Sequence, residues 1–333
     1  MYQFSLIIVS LFIIYLINKY RLRISKTTKL IDRPDTIRKF HKKRTPLLGG
    51  IMIFLSFALI NLYLIFFQEL TKINLIIFLC CSFSLALGLI DDIKKISYKF
   101  KFLILIIIYF FFLNLDQNLL INRIYFSSFD REFYLDYLNV PFTILCLLLL
   151  TNAINLIDGM DGLCILISII LIMWLINTFE NIQSYYIVVV ISLIYILYLN
   201  LKKNIFLGDS GSLFLGSLIG LNVILNYNIE ISRIHYPVEN IFISLMLPGL
   251  DMFRVFAIRI INKKNPFLPD RTHLHHLLIA RGLSTVSILT IFLLLILLPL
   301  LINFFTIFKP IYIILFYILF YIILILKLKK NLF

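Results

Sequence analysis

Four polar residues at intervals of three close an otherwise apolar run. The stretch Thr151–Leu163 reads TNAINLIDGMDGL and follows Cys146 and the leucines of 147–150. Two amides, Asn152 and Asn155, and two carboxylates, Asp158 and Asp161, stand where an unpaired buried charge is costly. Such groups bind cations and phosphates or move protons. At 100° per residue they drift around one helix yet stay within a sector facing the interior. Gly159 and Gly162 then break the helix. A purely structural polar network is the competing explanation.

Four more clusters have the same flavour. GLIDDIKKI (88–96) places Asp91 beside Asp92. Adjacent carboxylates resist joint ionisation unless a cation compensates. Lys94 and Lys95, or a divalent metal such as Mg²⁺, would supply it; Mg²⁺ takes oxygen ligands and leaves room for phosphate. IFLGDSGSLFLG (205–216) reads as a turn entering a helix, with Gly208 and Gly211 allowing close approach of a ligand. Asp209 and Ser210 are candidate caps of that helix, whose N-terminus suits phosphate. Phe206 could stack on a base, although membrane packing is the commoner use of such a residue. PDRTHLHH (269–276) offers Arg271, His273, His275 and His276 as phosphate ligands; no Cys or Glu stands nearby to complete a zinc site. HKKRTPLLGG (41–50) combines Lys42 and other basic residues with Gly49 and Gly50, and by itself reads as a basic anchor before a helix.

The elements that must position these clusters are membrane helices. The 333 residues are 61% hydrophobic and only 14% charged, against about 25% charged in soluble domains. The apolar runs are too long for a soluble helical protein. Eleven spans are predicted, about 3–17, 47–67, 73–90, 100–115, 139–157, 162–179, 185–200, 212–227, 238–260, 286–306 and 310–327. Backbone in lipid must bond to itself, so each is helical. The first has no preceding basic residue and no small-residue cleavage site, so it reads as a span and not as a secretory signal. No internal repeat or linker is visible, and residues 1–333 read as one integral membrane domain. Cys80, Cys81, Cys146 and Cys164 fit neither a zinc site nor a disulfide framework.

Lysine and arginine set the orientation. With the N-terminus outside and the C-terminus cytoplasmic, 25 of the 31 basic residues fall in inner segments and 5 in outer ones. The net charge of +14 then belongs to the cytoplasmic face, where it attracts anionic lipid or nucleotide phosphates and implies no nucleic-acid partner. All five clusters fall on that face too, and Asp251 lies in the inner half of the ninth span. A transporter of lipid-linked sugars, the rival class, would instead place its ionisable groups near the midplane.

The five motifs, in this order, resemble the polyprenyl-phosphate N-acetylhexosamine-1-phosphate transferase superfamily, glycosyltransferase family 4. The resemblance covers His41 to Ser284. It implies a multi-pass enzyme of a bacterial inner membrane with its cleft facing the cytoplasm. Such enzymes move a sugar-1-phosphate from a UDP-sugar to polyprenyl phosphate with Mg²⁺ or Mn²⁺ and release UMP. By position, Asp91 and Asp92 match the family's aspartate pair, the first as the base toward the lipid phosphate. Lys95 matches a lysine of the muramoyl-pentapeptide branch. Asn152, Asn155, Asp158 and Asp161 match the NxxNxxDGxDG signature of nucleotide and catalytic contacts. Asp209 matches the metal-binding aspartate, Phe206 the aromatic that stacks on uracil, and Lys42 the basic residue before TPxxGG. His273, His275 and His276 match the histidine motif. The run His-Leu-His-His after Pro-Asp-Arg resembles the branch that starts O-antigen, teichoic acid or related glycans with UDP-GlcNAc or a similar HexNAc. Phospho-N-acetylmuramoyl-pentapeptide transferase is the runner-up. The segment between Asn200 and GDSGS is one residue shorter than the family pattern. The resemblance leaves monomer or homodimer open.

Overall fold

The computed structural model describes residues 2–32, 44–67, 70–179, 185–265 and 271–330. Among these, thirteen α-helices form the bundle: α1 (Tyr2–Lys19), α2 (Arg21–Thr28), α3 (Gly49–Phe67), α4 (Lys72–Lys94), α5 (Tyr98–Leu113), α6 (Asn139–Ile157), α7 (Leu163–Thr178), α8 (Tyr186–Leu201), α9 (Gly208–Ile234), α10 (Val238–Ile261), α11 (Leu274–Ala280), α12 (Thr285–Phe305) and α13 (Pro310–Lys330). Two small antiparallel ribbons complete them: β1 (Ile31–Asp32) with β2 (Thr45–Pro46), and β3 (Arg123–Phe126) with β4 (Arg131–Tyr134). In the second, Arg123 pairs with Tyr134 and Phe126 with Arg131.

Each of the eleven predicted segments is helical. Among the described residues seven helices are long and apolar enough to cross a membrane, and α1 with α2, bent by 72°, makes an eighth if the pair is one span. The others are short: α5, α7 and α8 have 16 residues each, about 24 Å at 1.5 Å per residue, below a ~30 Å hydrocarbon core. α5 also carries Lys99 and Lys101 in its first turns.

α9 is the axle. Leu213, Phe214, Leu215, Leu218, Ile219 and Leu221 are all buried, and the helix packs against α3, α4, α6 and α7. Apolar contact alone gives little preference between helix and lipid, so shape and polar contacts fix the register. A hydroxyl chain supplies some of it. Tyr109 Oη bonds to Thr151 Oγ1 and to Ser217 Oγ, each at 2.8 Å, and Ser217 donates to Ser84 Oγ at 2.9 Å. One chain thereby ties α4, α5, α6 and α9. Close approach supplies the rest. A Cβ on Gly88 of α4 would lie 2.4 Å from Ser210 Cα, so only glycine lets α4 reach the start of α9.

At the far end of the bundle the β3–β4 ribbon docks on α10. Glu239, in the first turn of α10, accepts hydrogen bonds from Ser127 N and Ser128 N. At the near end α4 and α6 stop, and α9 begins. There the strand-like segment 45–47 runs along residue 206: Phe206 N donates to Pro46 O at 2.8 Å, and Gly49 N and Gly50 N donate to Phe206 O and Leu207 O. The Thr45–Gly50 motif is therefore the brace of the GDSGS turn.

Candidate functional site

The turn into α9 is held from another helix. Sequence spacing predicted that Asp209 and Ser210 cap α9 themselves, from about residue 212. The helix instead begins at Gly208, and Asp92 of α4 caps it. Asp92 Oδ1 accepts from Asp209 N at 2.9 Å, and Oδ2 from Ser210 N at 3.1 Å. A carboxylate at a helix N-terminus satisfies orphan N–H groups and the positive end of the dipole. Gly208 has φ +79°, and a Cβ there would sit 2.7 Å from Asp92 Oδ2. Asp92 thus spends both oxygens on backbone.

Asp91 and Asp209 meet across one ammonium. Lys101 of α5 pairs with Asp91 Oδ2, and with Asp209 Oδ2 at 3.3 Å. Asp91 Oδ1 accepts from Ile96 N at 2.8 Å, and Asp209 Oδ1 accepts from Asn155 Nδ2 at 2.8 Å. Lys94 and Lys95, or a divalent metal, were expected to compensate the pair; the ammonium found between the acids is that of Lys101, and the side chains of Lys94 and Lys95 are exposed. α4 ends at Lys94, Lys95 takes a left-handed φ of 52°, and the chain turns so that α5 brings Lys101 back over the acids.

The polar tetrad does not stay on one helix. α6 ends at Ile157, and Asp158 and Asp161 lie in the loop before α7. Asn155 reaches Asp209 and Ser212 Oγ, whereas Asn152 Nδ2 faces Met252 Sδ of α10 at 3.4 Å. Asn200 works on the loop and not on the acids: its Oδ1 accepts from Gly162 N at 2.5 Å and its Nδ2 donates to Ile205 O. The shortened segment before GDSGS is thus pinned to the DGMDG loop.

Desolvation raises the Asp158 carboxyl well above the usual carboxylate range, and the charges of Asp209, Asp92 and Asp161 push it further. Its folded-state pKa exceeds its unfolded one, so the folded chain holds a proton that the unfolded chain gives up above about pH 4. Stability then falls as pH rises from there toward the folded value. Asp158→Asn, which mimics the protonated acid, should raise Tm in chelator at pH 7, with the gain vanishing near pH 4. An unchanged or lower Tm at pH 7 would contradict a strained carboxylate.

The histidine segment packs on that loop. His273 and His275 are buried, at 4% and 1% exposure, and His276 is partly buried. A Cβ on Gly159 would lie 2.5 Å from His275 Nε2, so the DG step leaves room for the ring. Burial and then His276 push the His275 imidazole down to about 3, so it is neutral near pH 7. Neither of its ring nitrogens has a hydrogen-bond partner among the described residues. The His273 and His275 rings lie 5.9 Å apart at 10°. Arg271, at the head of the segment, is exposed, and Phe206 is partly buried beside the core. Lys42 lies outside the described residues.

The donor set suits a hard divalent ion. Asp209 and Asp91 offer carboxylate oxygens around a single ammonium. Among the described residues no three acidic, His or Cys groups converge as a complete metal cage. Mg²⁺ is commonly held by one or two carboxylates together with water and substrate phosphate.

Comparisons with other proteins bear on the family of the chain. The family model for glycosyl transferase family 4 matches residues 74–227. The chain is 32% identical over 299 residues, 86% of its length and 80% of the relative's, to the probable undecaprenyl-phosphate N-acetylglucosaminyl 1-phosphate transferase of Bacillus subtilis (strain 168). It is similar at 28% identity, over 76% of its length and 74% of the relative's, to the undecaprenyl-phosphate alpha-N-acetylglucosaminyl 1-phosphate transferase of Thermotoga maritima. The protein of that name from Escherichia coli (strain K12) is 25% identical over 79% of this chain and 72% of its own.

Proposed function

The chain belongs to glycosyl transferase family 4, and we propose that it transfers N-acetylglucosamine 1-phosphate from UDP-GlcNAc to undecaprenyl phosphate, releasing UMP. The observation that carries this reading is the meeting of Asp91, Asp209 and Lys101 where membrane helices end. A lipid head group and a soluble nucleotide could both reach such a place.

Phosphoryl transfer needs positioning and charge neutralisation more than covalent chemistry. An oxygen of the lipid phosphate attacks the β-phosphorus of the nucleotide sugar. The bridging bond to the α-phosphate breaks, and UMP leaves with that oxygen. Asp91 takes any proton left on the attacking phosphate monoester, whose second pKa is about 6. Lys101 offsets charge between Asp91 and the pyrophosphate. Asp209, aimed by Asn155 and by the backbone grip of Asp92, would hold Mg²⁺ or Mn²⁺; a bound ion would neutralise pyrophosphate charge and ease departure of UMP. Asp158 and Asp161 bound the cleft, and His273, His275, His276 and Arg271 supply phosphate contacts. Lys95 adds basic charge at its mouth, and Lys42 is assigned a basic role from its motif alone. Phe206 stacks on uracil, and Asn152 supports the nucleotide side.

We place the cleft on the cytoplasmic face of a bacterial inner membrane, with eleven crossings, the N-terminus outside and the C-terminus inside; the short α5, α7 and α8 are accommodated by local thinning of the bilayer. The basic residues support that orientation. All the named groups come from one chain, so a homodimer would not be needed to complete the site.

Thermal protection of purified protein in Mg²⁺ separates the readings, because a ligand that binds the folded state raises Tm by mass action. UDP-GlcNAc should protect. Protection by UDP-MurNAc-pentapeptide alone would move the chain to the muramoyl branch. Protection only by a lipid-linked sugar would favour a transporter.

A further inference from the structure

Asp251 sits inside α10 with 2% exposure, and its carboxylate collects four hydrogen bonds. Oδ1 accepts from Arg254 Nη2 at 2.7 Å, from Tyr321 Oη of α13 at 2.8 Å and from Leu274 N at 3.0 Å. Oδ2 faces His273 Nδ1 at 2.8 Å. Arg254 also donates from Nε to Tyr321 Oη at 3.1 Å and from Nη2 to Thr272 O at 2.7 Å. Three consecutive residues, Thr272 to Leu274, are therefore held by this one cluster. The other end of the segment is held by α13 as well: Arg281 Nη2 donates to Lys327 O and Leu328 O.

A carboxylate beside a guanidinium is ionised and can only accept. His273 must then carry its proton on Nδ1. The remaining ring nitrogen, Nε2, is buried and has no hydrogen-bond partner among the described residues. The His273 ring stacks near that of His275, which in turn packs on Gly159, the residue after Asp158.

We propose that Asp251 is a positioning residue that fixes His273 as the Nδ1-protonated tautomer, and that Tyr321 makes the last helix part of the site by holding Asp251. The free Nε2 lone pair then accepts from a hydroxyl or a monoprotonated phosphate of a ligand. Should it take that proton, Asp251 offsets the resulting imidazolium charge. The kinetic part of this proposal rests on the transferase reading; the tautomer does not.

Asp251→Asn tests it sharply. Three donors converge on Oδ1, so the amide oxygen takes that place and the amide NH₂ faces His273 Nδ1. That nitrogen must then accept, and the proton moves to Nε2. The measurement is nitrogen NMR of ¹⁵N-histidine-labelled full-length protein, which has five histidines, with the His273 signal assigned by its loss in His273→Gln. The wild type should show His273 protonated on Nδ1 and bare on Nε2. Asp251→Asn should reverse this and lower kcat by about 100-fold or more, with KM within about 3-fold, as expected for a wrong tautomer. Tyr321→Phe should lower kcat by about 3- to 10-fold, the scale of one hydrogen bond. A wild-type His273 protonated on Nε2 overturns the proposal even if no transfer is detected. So does lost activity in Asp251→Asn with an unchanged tautomer, which would assign Asp251 to packing. If that variant fails to fold, the wild-type spectrum and Tyr321→Phe still decide.

Discussion

Replacing Asp209 with Asn is expected to abolish transfer at every Mg²⁺ concentration. The side chain keeps its shape, but one oxygen becomes a donor. Two of its partners, Lys101 Nζ and Asn155 Nδ2, are themselves donors, and an amide nitrogen turned toward either would be repelled. The carboxylate that would hold the divalent ion is gone, and more Mg²⁺ cannot restore it. Removing one preorganised charge contact costs about 10²–10³ in rate, and loss of the ion's ligand should cost at least the upper end. The fold should survive, because Asp92 grips the backbone of residues 209 and 210 and not their side chains. Activity within tenfold of wild type, measured with labelled UDP-GlcNAc, would remove Asp209 from the metal.

Lys101→Met should be nearly as damaging, by another route. Methionine keeps most of the apolar stem and removes the ammonium. Asp91 and Asp209 then face each other without a cation, in a place where the lysine side chain is only 15% exposed. Stripping one partner from a buried pair costs about 3–5 kcal/mol, and less here because Asp209 is partly open to solvent. The loss should appear as a lower Tm in chelator that Mg²⁺ largely restores, since a divalent ion can take over charge compensation. kcat/KM should fall by about 100-fold or more at saturating Mg²⁺, because the pyrophosphate also loses its cation. A variant with wild-type Tm in chelator and wild-type turnover would make Lys101 a bystander.

The acids were legible in the sequence because polar residues inside apolar runs are expensive. Asp91, Asp92, Asp158 and Asp209 stood out for that reason, and so did the glycines that let chains approach. Their division of labour was not legible. Asp92 caps α9 across 117 positions of sequence, and no local spacing encodes a cap delivered by another helix. Lys101 escaped notice because a basic residue at the start of an apolar helix looks like one more orienting charge. It stands with Lys99 at the N-terminal end of α5, ahead of the apolar run, and nothing local separates it from an orienting lysine. Asp251 and Arg254 were visible as charges within a span, three residues apart. Their meeting with Tyr321 and His273 depends on how α13 packs, which periodicity does not reveal. The helices themselves were read well, since apolar runs define them. Crossing is a separate property that depends on length, and three of the predicted spans form helices of only 16 residues.

The most direct test of the central claim is a stoichiometric assay. Purified protein, undecaprenyl phosphate and Mg²⁺ are incubated with UDP-GlcNAc labelled on the β-phosphate, and UMP and labelled lipid are followed together. The account predicts one UMP for each labelled lipid with the wild type, and neither product with Asp209→Asn. Equal turnover by the two proteins, or a wild type that leaves UDP-GlcNAc intact, would contradict it.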